Sequence, residues 1–164
     1  LASFDGKDLF ILPHDGNSSL LSDTAITRNE IIKLIQNVEP KTVTMFFDTC
    51  YSGQTRDEQM LVSDLRSIII EAAKQDTPDN FTIFSASGSK QVSGSIKEAK
   101  HGIFSYFLMK GLEGNADVNN DKQITNGELI AYLKTNVSKE ALSQNREQDP
   151  MLVGNANKVI MKYR

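Results

Sequence analysis

The run Thr42-Val43-Thr44-Met45-Phe46-Phe47, rich in β-branched and aromatic residues, passes without a break into Asp48-Thr49-Cys50-Tyr51-Ser52-Gly53. Its composition predicts a buried parallel strand, and parallel sheets need helices over both faces. In open α/β sheets, ligands gather just beyond the carboxyl ends of such strands. The only cysteine of the chain, Cys50, therefore stands where a nucleophile would stand. A cysteine kept for packing needs no polar flanks. Here an acid lies two residues before the thiol and a Ser-Gly pair just after it, an open context suited to a reactive thiolate once a base is supplied.

The rest of the chain alternates strand-like and helix-like segments with no internal repeat, which predicts a single α/β domain over residues 1–164. Leu9 to Leu12 reads as a strand closed by Pro13 and Asp15-Gly16. Thr27 and Glu30 have capping-box spacing, and Ile31, Leu34, Ile35 and Val38 recur at helical intervals before Pro40. A second helix is expected to bury Leu61, Leu65, Ile68, Ile69 and Ala72, followed by a turn over Asp76 to Asn80 and a strand from Phe81 to Ala86. A Gly- and Ser-rich loop, Ser87 to Gly102, leads to helices over Ile103 to Leu112 and Glu128 to Val137, and Val159 to Met161 supplies a last strand.

Charge and cysteine usage narrow the function. With 18 Lys and Arg against 21 Asp and Glu, the net charge is -3 and no basic block exists, which argues against nucleic acid as a partner. One cysteine makes no internal disulfide, so a reducing, cytoplasmic setting is expected. No stretch approaches the roughly 20 apolar residues of a membrane span, so no membrane partner is expected. The chain starts at Leu1, and it is read as a piece of a longer protein or a processed product.

The segment from Phe46 to Gly53 resembles the nucleophile segment of metacaspases and bacterial caspase-like cysteine peptidases, usually Asp-Ser-Cys-His-Ser-Gly. Further segments fall in the family's order: Leu12-Pro13-His14-Asp15; Ser85-Ala86-Ser87 with Gln91 and Ser93; His101-Gly102-Ile103-Phe104-Ser105-Tyr106-Phe107-Leu108; Gly111-Leu112 and Gly114 to Asp117; Ile124-Thr125, Glu128-Leu129 and Tyr132-Leu133; and Gln148-Asp149-Pro150. The resemblance implies a caspase-like three-layer sandwich, a mainly parallel sheet with helices on both faces, whose first strand is missing from this chain. It implies a cysteine endopeptidase with Cys50 as nucleophile, acting on peptides or proteins. In caspase-type enzymes the base lies about 50 residues before the cysteine. The family's Ser-Gly-His-Gly would then stand just before Leu1, on an upstream segment or a separate chain. His14, at a strand exit, is a poor match for that base, and His101 caps or lines the substrate cleft.

Further roles follow from the same resemblance. The backbone N–H of Cys50 and that of the glycine after the upstream histidine would hold the oxyanion. Asp48 takes the position of the acid that directs metacaspases to cut after Arg or Lys, and Ser85, Ser87 and His101 are read as further substrate contacts. The alternative reading is that Asp48 merely caps its loop. Two rivals stay open: a catalytically inactive caspase-like scaffold or regulatory binding domain, and an ordinary flavodoxin-like binder. The latter would need a phosphate-cradling glycine loop that the sequence does not show.

No cofactor is required by this chemistry, but one segment has calcium-ligand spacing. Asp117, Asn119, Asp121, Gln123, Thr125 and Glu128 occupy positions 1, 3, 5, 7, 9 and 12 of an EF-hand-like loop, with Lys122 where the sharp turn wants glycine. Thr125 and Glu128 also form a capping box, so a plain helix connection accounts for the same residues. The paired acids of the usual metacaspase calcium site would fall near Thr27 and Arg28, leaving Asp57 as its one matching member.

Overall fold

The structure is a computed structural model that describes residues 10–17, 20–48, 77–86, 95–96 and 101–163. In chain order its elements are β1 (Phe10–Ile11), α1 (Leu21–Thr24), β2 (Ile26–Thr27), α2 (Arg28–Gln36), β3 (Val43–Phe47), β4 (Phe81–Ser85), β5 (Ser95–Ile96), β6 (His101–Gly102), α3 (Ile103–Lys110), β7 (Gln123–Thr125), α4 (Asn126–Ser143), β8 (Met151–Val153) and β9 (Val159–Lys162). A π-helical turn, Gly111–Asn115, follows α3 directly. The domain is a mixed α/β structure. The expected helix over Leu61 to Ala72 lies outside the described residues.

Among the described residues one sheet has three strands, in the order β3-β4-β8. β3 and β4 are parallel, with Val43 opposite Phe81 and Phe47 opposite Ser85. β8 returns antiparallel, with Met151 opposite Ser85. The parallel pairing of the Thr42 to Phe47 run is as expected, but its burial is not. Every residue of β4 is buried, whereas β3 alternates between half-buried and exposed positions, and Phe46 keeps 38% of its surface. Among the described strand pairings, β3 with β4 is the parallel one, and the other four are antiparallel.

Alternation along β4 sends its side chains into two cores. Phe81 and Ile83 pack with Ile32 of α2, joined by Ile35, Val43, Met45 and Phe47. Phe84 packs instead with Ile103 and Phe104 of α3 and with Leu129, Leu133, Val137 and Ala141 of α4. Helices thus cover β4 from opposite sides. α3 and α4 approach closely at Gly111, where a Cβ would lie 2.9 Å from the Leu129 side chain.

Local rules explain the helix boundaries, and tertiary contacts explain the departures. Thr27 caps α2 in a reciprocal box with Glu30, and Thr125 caps α4 in the same way with Glu128. The buried side of α2 is Arg28 and Ile32 with Ile35 half-buried, not the stripe through Leu34 and Val38, which are 66% and 76% exposed. α4 runs past its expected end to Ser143 because Ala141 still reaches the core. The expected strand at Val159 forms, but it pairs with β7 in a separate ladder, and β8 takes the third place in the sheet. The strand expected at Leu9 to Leu12 is a two-residue ladder with β2, away from that sheet. No helix among the described residues is long and apolar enough to cross a membrane.

Candidate functional site

Parallel strands deliver their following loops to one edge, and here β3 and β4 end together. Four chain segments meet at that carboxyl edge. The Ala86 N–H donates to the Phe47 carbonyl at 2.8 Å, carrying the β3–β4 pairing one step past the strands. The fully buried Gln148, on the approach to β8, donates from Nε2 to the Ala86 carbonyl at 3.1 Å. Asp48, the first residue beyond β3, accepts a hydrogen bond on Oδ2 from Ser105 Oγ at 2.6 Å. Ser105 lies in the first turn of α3, whose N-cap Gly102 contributes no side-chain bond.

The 2.6 Å separation belongs to the range of hydroxyl-to-carboxylate bonds, in which an ionised acceptor shortens the contact. A negative charge beside the first turn of a helix is also favoured by the positive end of the helix dipole. The arrangement therefore holds a half-buried carboxyl group at the carboxyl end of β3, two residues before the only cysteine. Chemically, such a group can pair with a guanidinium or an ammonium.

The other expected site residues are distributed less simply. Ser85 is buried on the face shared with Phe81 and Ile83, toward α2, whereas Asp48 is drawn to α3 on the opposite face. His101 is exposed in the short β5–β6 ladder, pairing with Ile96, just ahead of α3. His14 is exposed in the turn after β1. Cys50 and Ser87 lie outside the described residues, as does Asp57. Thr27 caps a helix and Arg28 is buried, so neither stands as a metal ligand. Ser105 and Gln148 received no role from the sequence, although both fall in segments that carry the resemblance. The only available signal was a lone hydroxyl in the first turn of an apolar helix, and its partner lies 57 residues away.

The loop from Asp117 to Glu128 is bound up with its own backbone. Asp117 accepts from the N–H groups of Asp121 and Lys122 at 3.2 and 3.0 Å, and Asp121 accepts from that of Gln123 at 2.8 Å. One Glu128 oxygen takes both the N–H and the hydroxyl of Thr125 at 2.8 Å. Lys122 adopts the left-handed conformation at φ 63° in place of the glycine such a turn favours. Among the described residues no cluster of three or more His, Cys, Asp and Glu side chains is disposed to hold a metal ion. Ile124 instead joins β7 to β9, and Tyr163 braces the loop, donating its hydroxyl to the Leu112 carbonyl at 2.6 Å. Burial, and secondarily the Asp117 charge, raises the Tyr163 pKa, so its phenol stays protonated as that donor.

A cavity of about 610 Å³ opens between Thr77–Asp79 and Gly154–Asn155. It borders Phe81 at the amino end of β4, roughly 13 Å along the strand from Ser85, and so is remote from the edge carrying Asp48. No protein-family model matches the chain, and no curated protein matches it.

Proposed function

We propose that this chain is the greater part of a caspase-like cysteine endopeptidase domain that cleaves after Arg or Lys. The observation that carries the reading is the convergence on one sheet edge of Asp48, Ala86, Gln148 and Ser105, four segments that each belong to the resemblance. In this reading β3, β4 and β8, between α2 on one side and α3 and α4 on the other, form part of a three-layer sandwich. An upstream segment adds its first strand and the catalytic histidine.

Cys50, as thiolate, attacks the scissile carbonyl, and the C–N bond breaks as the histidine passes its proton to the leaving amine. Water, deprotonated by the same histidine, then hydrolyses the acyl-enzyme and releases the thiolate. Backbone N–H groups at Cys50 and after the histidine hold the oxyanion. Asp48 selects the cationic residue at P1, the position whose carbonyl is cleaved, with Arg favoured because a guanidinium offers two parallel hydrogen bonds. No metal is required, and a reducing compartment such as the cytoplasm suits a free thiolate.

The test is turnover of fluorogenic peptides by the parent enzyme with its upstream histidine segment intact. Arg and Lys peptides are expected to be cleaved, and Cys50→Ala to abolish cleavage while leaving the far-UV circular dichroism unchanged. Turnover that survives Cys50→Ala rules out the assignment. No turnover by the Cys50 enzyme on any peptide favours the inactive scaffold.

A further inference from the structure

We infer that Ser105 is a positioning residue for substrate selection, holding the Asp48 carboxylate in the orientation that receives the P1 cation. This rests on the peptidase reading and adds a second residue to its specificity site. An aspartate just past a strand end has two side-chain torsions to settle, and a carboxylate that wanders among rotamers loses entropy on every binding event. Ser105 removes that freedom. Its Oγ lies 2.6 Å from Oδ2, and Ser105 itself sits on α3, fixed in the core by its neighbours Ile103 and Phe104. The anchor is thus a rigid helix gripping a residue on a loop.

A hydroxyl donor adds no charge of its own to the site. A donor of this kind fixes the charge without neutralising it, which a lysine or arginine at the same place would not do. Ordering one side chain at a binding site is worth up to about one decade in an equilibrium constant. Losing this anchor should weaken recognition of a P1 cation by up to about tenfold.

The experiment compares Ser105→Ala, Ser105→Thr and Ser105→Val in the complete enzyme, measuring kcat and KM for Arg, Lys and Ala P1 peptides. Thr and Val are nearly equal in shape and differ in the hydroxyl, so this pair decides the matter even where Ala at the position fails to fold. Calorimetric titration of an Arg P1 peptide into each variant in a Cys50→Ala background reads binding apart from chemistry. The expected result is an Arg peptide KM raised by up to about tenfold in the Ala and Val variants, restored in the Thr variant, with the Ala P1 peptide little affected. Equal losses for all three peptides would mean that Ser105 merely tethers α3 to the sheet, and would overturn the inference while leaving the peptidase reading intact. Arg-selective turnover that is the same in Val and Thr variants would also overturn it. Absence of turnover in the unmodified enzyme would remove the peptidase reading, and this one with it.

Discussion

Gln148 offers a stringent check on the carboxyl edge, because it is a polar side chain buried to 1% exposure whose Nε2 donates to a carbonyl on the fully buried Ala86. Gln148→Leu keeps most of the volume and removes that donor. A buried acceptor left unsatisfied costs about 1–3 kcal/mol, and the apolar surface of Leu recovers part of it, so the net loss is about 1–2 kcal/mol. For a domain of this size that corresponds to a melting point lower by about 2–8 °C. Gln148→Glu sharpens the test. At neutral pH it sets an ionised carboxylate against a carbonyl oxygen, and breaking up a buried polar site in this way costs about 3–5 kcal/mol. Burial raises the folded-state pKa of that carboxyl, so the penalty shrinks as pH falls and the protonated acid donates in place of the amide. Chemical denaturation between pH 4 and pH 8 follows both variants. A Leu variant as stable as the parent, or a Glu variant whose deficit is independent of pH, would show that Gln148 does not hold the Ala86 carbonyl.

Gly154 adopts φ +128°, and a Cβ there would lie 2.9 Å from the Phe81 carbonyl oxygen, so Gly154→Ala should cost about 2–4 kcal/mol in urea unfolding, with an unchanged midpoint contradicting the geometry. Glu30 has its pKa lowered first by the backbone N–H of Thr27 and second by the Thr27 hydroxyl, and Thr27→Ala removes only the hydroxyl contact. The hydroxyl-to-carboxylate part is present above the usual glutamate range and lost as pH falls through the lower folded pKa, so the destabilisation should be largest at pH 7 and shrink in acid to the pH-independent loss of the Glu30 N–H cap; a penalty constant with pH would refute it. Lys122→Gly should stabilise by about 1 kcal/mol by relieving φ 63°, as read by thermal unfolding. Calorimetry of the unmodified chain should show no sub-micromolar calcium binding, and such binding, if abolished by Asp117→Ala, would overturn the helix-connection reading of the loop.

What could be read from the sequence were local devices. The Thr27–Glu30 and Thr125–Glu128 boxes place the starts of α2 and α4 because their donors and acceptors are three residues apart. The parallel pairing of β3 was legible in composition, but not its exposed positions, since covering a strand depends on neighbours that the strand does not encode. Periodicity put Leu34 and Val38 on the inner face of α2, whereas the docking of Ile32 against Phe81 and Ile83 turns them outward. β7 and β8 are three residues long, too short for a period, and the residues of β7 also carry calcium-ligand spacing and the start of a capping box. Asp48 stands out in the sequence through its place before Cys50, and the structure sets it at the end of β3. The Ser105 contact was not legible, because only the fold brings α3 to the end of β3.

The central claim is that Asp48 reads a cationic P1 residue at the mouth of this sheet, and Asp48→Asn tests it most directly. Asparagine keeps the shape, and its amide can still meet the Ser105 hydroxyl, so the charge alone is removed. Comparison of kcat/KM for Arg, Lys, Asp and Ala P1 peptides in the complete enzyme and in Asp48→Asn should show Arg preferred to Lys and both preferred to Asp in the parent. In the variant, Arg peptides should lose about 2–5 kcal/mol of transition-state binding, the scale for truncating one member of a buried charge pair, and Ala peptides much less. Equal losses across all four peptides would contradict the account and leave Asp48 as a structural support for the segment carrying Cys50.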